Sequence, residues 1–470
     1  MTTARPSVSA RPQTGRARRA RSGVAFVAAA GAAALVASTG YGAHAAAATP
    51  VTTASPVAAA SPEASSPATP RTPGTPAARR SGTKPLPLGT DTLPETRRAR
   101  TLAPGVTQTT IVRGVPRARA SQIATTAYGP WRVNVVTVNP KTAKGRLQTT
   151  FGGDIARTEP VSTVAGWAKA LFATNGGFFA LGRSRLYPGD PVGLAIHAGM
   201  VVSEPTGAGA EQNVLIDSDT MRLRMGRFAW EATVRHRESG REARIDAVNT
   251  ALATPAGCEG LPDPTECAAP GRLVRITPSF TRRTPAGPGV EVVLDRAGCI
   301  VRKAVVRGTR ITGSQTTLQA TGTDAAELAE LATSGCLKID ETVRDGDGDE
   351  LNIGPSTYGL TGRYRLVDDG EIVAPTGRNS ISGRNPRTFL GRTNDGRVSV
   401  VTIDGRSVTS VGTSLTETAR VAKALGFADA VNLDGGGSTT LVVEGRVANV
   451  PSTNGRQRPI SDALVFVPRR

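Results

Sequence analysis

Histidine is scarce in this chain of 470 residues: His44 lies near the N-terminus, and only His197 and His236 remain beyond it. Two histidines are poor material for a multi-histidine metal centre, and a serine triad would have to use one of them. No Gly-x-Ser-x-Gly elbow is present to carry a nucleophilic serine. The glycine run Gly435-Gly-Gly437 contains no Gly-Lys-Ser/Thr, so it is not the nucleotide-gripping loop, and it leads into a strand rather than a helix, which excludes the dinucleotide fingerprint. Cysteine is limited to Cys258, Cys267, Cys299 and Cys336, without the close Cys-x-x-Cys spacing of a zinc site. Acid–base chemistry near neutral pH therefore falls to carboxylates with tuned pKa values.

Aromatic residues are also few, at 4%, while Gly (53) and Pro (33) are abundant, a balance that favours short strands and tight turns over a helical bundle. The net charge of +19 suggests nucleic acid at first sight, but the first 100 residues hold 13 Lys and Arg against 3 Asp and Glu. About half of the excess thus sits in that segment. The arginines beyond it are scattered, with no aromatic interleaving and no recognition-helix pattern, so the surface favours anionic substrates rather than nucleic acid.

Arg16, Arg18, Arg19 and Arg21 precede an apolar run from Val24 to about Ala37, and Ala43-His44-Ala45 offers a small-x-small cleavage site. Residues 1–45 read as a signal peptide, since the run is short of the ~20 apolar residues a membrane span needs. No stable membrane insertion is expected after cleavage. Residues 46–100 read as a disordered Ala/Pro/Ser/Thr-rich linker, and ordered sequence is expected from near Leu102 to form one domain over 101–470. The even number of cysteines suits an oxidising compartment, and proximity favours Cys258 with Cys267 and Cys299 with Cys336. The fold class expected is α+β: mixed β-sheets with a few packed helices.

Within that domain Arg132–Val138 alternates as a half-buried strand. Ser162 or Thr163 is expected to cap a helix carrying Val164, Trp167, Ala168 and Leu171, followed by a short strand into Asn175-Gly176-Gly177. Ser414 and Glu417 have capping-box spacing, with Leu415, Ala419, Ala422 and Leu425 on one helical face. Gly426 ends that helix, Ala430–Leu433 reads as a buried strand, and Asp434-Gly435-Gly436-Gly437-Ser438 follows. The parallel layout of the two units suggests two glycine loops lying side by side. A hairpin turning at Glu444-Gly445 and a last strand from Asp462 complete the reading.

Asp434 is the strongest chemical signal, because a carboxylate where a buried strand breaks into three glycines is rigidly held beside bare backbone that a ligand can approach. Taken alone, an Asp capping its own turn is an equal reading. Asp190 or Asp462 is the candidate second carboxylate. Arg384, Arg387 and Arg458 stand near turn residues and could grip a phosphodiester with paired donors. Glu417 reads as a cap, and the acidic stretch Asp345–Asp349 lacks the glycine and distal glutamate of a full calcium loop.

Thr174-Asn-Gly-Gly-Phe-Phe179, Pro386-Arg-Thr388, Asp404-Gly-Arg406 and Asn432-Leu-Asp-Gly-Gly-Gly-Ser-Thr-Thr440 together resemble the phosphodiester glycosidase family, from about Leu102 onward. The resemblance implies hydrolysis of an α-glycosyl phosphodiester, as in the animal enzyme that removes N-acetylglucosamine from mannose-6-phosphate diesters. It places Asn432, Asp434, Gly435, Ser438 and Arg387 at positions that line the site, and the substrate-binding set is completed by Asn175, Gly176, Gly436 and Arg458. No cofactor is expected. The cysteine-rich module of the animal enzyme has no counterpart, so lysosomal targeting is not carried over, and a secreted or cell-wall-associated protein acting on a sugar-1-phosphodiester or phosphorylated glycan is expected. Residues from about Arg235 to Thr321, with all but one of the cysteines, read as specific to this chain or a subgroup and could alter substrate choice. The rival readings are a non-catalytic cell-wall glycan-binding module and a metal-assisted phosphodiesterase.

Overall fold

The computed structural model describes residues 84–182, 184–376 and 381–469, so the signal-peptide segment and most of the linker lie outside the described residues. The folded unit starts earlier than expected. Leu86 and Leu88 are fully buried, and Glu95–Ala103 is already a strand. Their anchor is Arg113, itself buried, whose guanidinium donates to the carbonyls of Leu88 (2.8 Å), Thr90 (2.8 Å) and Leu93 (3.2 Å). Two apolar residues inside a proline-rich run thus have a partner that composition alone does not reveal.

The largest sheet has eight strands in the spatial order Glu95–Ala103, Val106–Arg113, Trp131–Val138, Val398–Ile403, Arg387–Thr393, Phe427–Asn432, Arg365–Asp368 and Glu371–Ile372. Both faces are covered. Along Trp131–Val138, Trp131, Val133 and Val135 enter one core with Phe389, Val401 and the helix residues Leu415 and Ala419, while Val136 and Val138 enter another with Phe172, Leu464 and Phe466. The two-residue period of a strand produces this division, and each large side chain so buried contributes about 1.5–3 kcal/mol.

A five-stranded sheet faces that second core in the order Arg446–Val447, Leu441–Val443, Phe172–Asn175, Asp462–Pro468 and Gly145–Phe151. A further five-stranded sheet contains Thr357–Arg363 between Ala195–His197 and Glu211–Asp217, with Leu223–Gly226 at its edge. Residues 229–344 build two more sheets and the helix Thr323–Leu331 around their own core, and both disulfides, Cys258–Cys267 and Cys299–Cys336, lie there in the expected pairing. The architecture is mostly sheet, with three α-helices among the described residues. The mixed sheets expected are almost wholly antiparallel: among the described residues only Ala247–Val248 beside Arg272–Ile276 pairs in parallel. No helix among the described residues is long and apolar enough to cross a membrane.

The helix Leu415–Ala424 has the capping box expected, with Glu417 N–H donating to Ser414 Oγ at 3.1 Å and Ser414 N–H to Glu417 Oε2 at 2.8 Å. The earlier helix differs from expectation. It spans Val161–Ala168, enters from Pro160 without a side-chain cap, and exits at Lys169 in the left-handed region, which leaves Leu171 beyond it and Trp167 58% exposed. Proline presets the entry geometry, and the Ser162 N–H donates instead to Gln457 Oε1 at 3.0 Å.

Candidate active site

Two strand ends from different sheets converge. Phe427–Asn432 leaves the eight-stranded sheet into Leu433-Asp434 and a short turn over Gly436–Ser438, and Phe172–Asn175 leaves the neighbouring sheet into Gly176-Gly177. The loops lie side by side, as their shared layout suggests. Asp434 N–H donates to the Gly176 carbonyl at 3.3 Å, and Asn175 Nδ2 donates to the Asp434 carbonyl at 2.7 Å. Asn175 Oδ1 accepts from Thr388 Oγ1 at 2.8 Å and Thr440 N–H at 3.3 Å. Buried and so engaged, Asn175 is a tie between the loops rather than a free substrate contact.

Asp462 opens the strand beside Asn175 and accepts from Gly177 N–H at 2.8 Å through its carboxylate. A side chain at Gly176 would meet that carboxylate, its Cβ lying 2.6 Å from Oδ1. Burial pushes Asp462 up to about 6; the Gly177 N–H opposes this and the charge of Asp434 adds to it. Asp434 is likewise raised, first by burial, against the Ser438 hydroxyl, the Gly435 N–H (2.8 Å to Oδ1), Arg458 and Arg363. Like charges cannot both ionise cheaply at close range, so the two carboxylates form a coupled pair. They are not equivalent: Asp434 lines a cleft of about 250 Å³, while Asp462 sits behind the Gly176-Gly177 backbone.

Above Asp434 the cleft is cationic. Arg458 lies against Gly437 and reaches Ser438 Oγ at 3.4 Å, and Arg406 lies over Gly436, held by Asn385 Oδ1 at 2.8 and 3.1 Å. Burial and then the charge of Arg458 lower the Arg406 pKa, which is the mark of two cations facing one space. Arg363, which the sequence reading missed, stacks over the Phe178 ring at 4.4 Å and acts electrostatically on Asp434. Asn432 lines the same cleft with Nδ2 on the Leu433 carbonyl and its buried Oδ1 without a partner.

Arg387, expected to grip phosphate, donates instead to the carbonyls of Thr413 (3.0 Å), Ile381 (2.6 Å) and Gly383 (2.7 Å). Burial, then Arg406, lowers its pKa to about 10. It holds the rim of the cleft in place. Arg384 is similarly engaged, in an ion pair with Glu417 at 2.7 Å and on the Thr126 carbonyl at 2.6 Å. Asp190 lies apart from this set of lining residues, and burial together with Glu204 pushes it up to about 7. His197 is packed between Phe151 and Tyr358, and His236 spans Ser334 and Ser239. The Asp345 carboxylate accepts from the N–H groups of Asp347 and Asp349 and pairs with Arg224, so the acidic stretch is organised as a turn.

Asp190, Asp404 and Asp462 all have raised pKa values, at about 7, 6 and 6. Between the ordinary carboxylate range and these values the folded chain holds protons that the unfolded chain has released, so stability falls as pH rises through that window. After screening, each group contributes on the order of 1 kcal/mol, or about 1 °C in a folded unit of this size. Calorimetry is therefore expected to show a higher Tm at pH 5 than at pH 8, with Asp190→Asn flattening the slope. A Tm that is level or climbs over that range would reject this electrostatic picture.

A carboxylate at a strand end thus lies beneath two arginines and beside bare glycine backbone. Residues 280–467, which include the Asp434 loop, match the phosphodiester glycosidase family model. The chain is 36% identical over 149 residues to an SPbeta prophage-derived uncharacterized protein of Bacillus subtilis (strain 168), an alignment covering 31% of this chain and 23% of that relative. The chain therefore spans less than a quarter of that protein's length. Among solved structures, a protein of Burkholderia pseudomallei K96243 described as exported aligns at TM-score 0.69 and 24% identity, over 82% of this chain and 99% of that one. A hypothetical protein from Synechocystis aligns at TM-score 0.59 and 19% identity, over 78% and 62% respectively. At these identities the structures show a shared fold.

Proposed function

We propose that the protein is a secreted hydrolase that cleaves the glycosidic bond of sugar-1-phosphodiesters, such as GlcNAc-1-phosphodiesters or cell-wall glycan phosphodiesters. The observation that carries this reading is the placement of Asp434, coupled to Asp462, on the floor of a cleft rimmed by Arg458 and Arg406. Asp434 faces the anomeric carbon as base or nucleophile with its proton affinity raised by burial, and Asp462 is a positioning residue that holds the Gly176-Gly177 backbone beside it. Water supplies the oxygen that ends on the sugar. The electron pair of the broken C1–O bond leaves on the phosphate oxygen, where the two guanidinium groups offset the developing charge. A phosphodiester is already a good leaving group, so the demand on a general acid is small. Export is supported by the leader-like N-terminal segment and by the two disulfides.

Hydrolysis in heavy-oxygen water tests which bond breaks. Early in the reaction the label is expected at the anomeric carbon of the released sugar, with an unlabelled phosphomonoester as the second product and no added metal required. Label in the phosphate, or activity abolished by chelator and restored by a divalent ion, would replace this reading with metal-assisted phosphodiester hydrolysis.

A further inference from the structure

Asn213 is 1% exposed, and neither its Nδ2 nor its Oδ1 has a hydrogen-bond partner. Buried amides are almost always satisfied within a fold, so a fully unpaired one points to a group supplied from outside. Asn213 lines a cleft of about 580 Å³ together with Glu211, Arg227, Phe228 and Trp230. On its strand Asn213 stands between Gly226, directly opposite it on one side, and Thr361 on the other, so one of its two cross-strand neighbours has no side chain.

We propose that this cleft binds an uncharged sugar unit of a glycan. The primary amide offers one donor and one acceptor side by side, which complements a pair of neighbouring ring hydroxyls or an acetamido group. Trp230, half-buried, supplies an apolar surface against which the C–H face of a sugar ring packs. Of the three charged groups at the cleft, Glu211 accepts from the Thr206 N–H at 2.8 Å, the Thr206 hydroxyl and the Leu194 N–H at 3.4 Å, Asp345 pairs with Arg224, and Arg227 on the rim donates to the Gly207 carbonyl at 3.3 Å. Two carboxylates against one guanidinium at the lining disfavour a second phosphate and suit a neutral ligand.

The cleft also adjoins the catalytic one. In an antiparallel pair, residues directly opposite project from the same face, and Glu211 lies opposite Arg363, whose guanidinium covers Phe178 at the Asp434 cleft. On the hydrolase reading, on which this one step rests, the Asn213 cleft holds a sugar further along the glycan from the bond being cut.

Calorimetric titration of the full chain with chitotriose and maltotriose, with orthophosphate as a control, tests the assignment. At least one trisaccharide is expected to bind, with affinity weakened about tenfold by Asn213→Ala, as loss of hydrogen bonds to a ligand implies. Because the amide bonds to nothing in the fold, alanine forfeits no internal hydrogen bond. Arg227→Ala, at an exposed position on the rim, provides a second variant that does not disturb the core and is expected to weaken binding, whereas Asp434→Asn leaves it unchanged. Failure of both trisaccharides to bind, or equal affinity in Asn213→Ala and Arg227→Ala, would overturn the assignment and leave an enclosed water as the amide's partner. Trisaccharide binding without turnover of any sugar-1-phosphodiester rejects the hydrolase reading and keeps this one. Turnover without trisaccharide binding does the reverse.

Discussion

Asp434→Asn is expected to lower turnover of a sugar-1-phosphodiester by roughly 10² to 10⁴, the range over which a positioned proton-transfer group contributes, while leaving the protein folded. Asparagine keeps the shape of the side chain and can still accept the Gly435 N–H that Asp434 Oδ1 accepts at 2.8 Å. It removes the like charge that helps to raise Asp462. The Tm at neutral pH is therefore expected to be equal to or above that of the parent, and the Asp462 carboxyl should titrate lower in the variant. Such a trade of stability for charge is common where a site demands an unfavourable group. Steady-state rates, a thermal melt and a ligand titration on the same preparation separate the outcomes. Full activity in the variant would remove Asp434 from the chemistry, and unchanged ligand binding with no turnover in either protein would favour the glycan-binding module.

Much of this site is legible in the sequence because its parts are local. The capping box at Ser414 and Glu417, the buried strand into Asn432 and the glycines after Asp434 each obey short-range rules, and the structure shows all three. The pairing of the two glycine loops was visible as a repeated layout. What escaped the reading is set by tertiary contacts. Arg387 and Arg458 look alike beside their turns, yet three carbonyls from residues 381, 383 and 413 engage the first and a glycine face receives the second. Arg363 ends a strand with nothing nearby to mark it, and its role depends on the Phe178 ring delivered by a different strand end. Nothing in the sequence separates Asp190 from Asp462, whereas the pairing of the strand that begins at Asp462 with the strand that ends at Asn175 does. Leu86 and Leu88 were hidden by their proline-rich surroundings.

Gly437→Ala is expected to reproduce the loss caused by Arg458→Ala, although it touches no charge. A Cβ at Gly437 would lie 2.2 Å from Arg458 Nη2, 2.5 Å from Cζ and 2.6 Å from Nε, so the guanidinium has to move off the cleft. The backbone at Gly437 is not in the left-handed region, unlike Gly436 at φ +60°, and alanine therefore brings no conformational strain of its own. The clash is with the free end of a long side chain, which can swing away without unfolding anything. If Arg458 stabilises the departing phosphate, each single variant loses about 10² to 10³ in kcat/KM, the usual consequence of removing one preorganised donor. A loss in kcat marks an interaction made in the transition state, and a rise in KM alone marks uniform binding. The double variant is expected to be no worse than the poorer single, because both changes remove one guanidinium from one place. Arg458→Lys should recover only part of the loss, since an ammonium supplies charge without the paired donors. Full activity in Gly437→Ala would show that Arg458 does not hold the phosphate, and additive losses in the double variant would show that the glycine serves the loop in some way other than making room for the arginine.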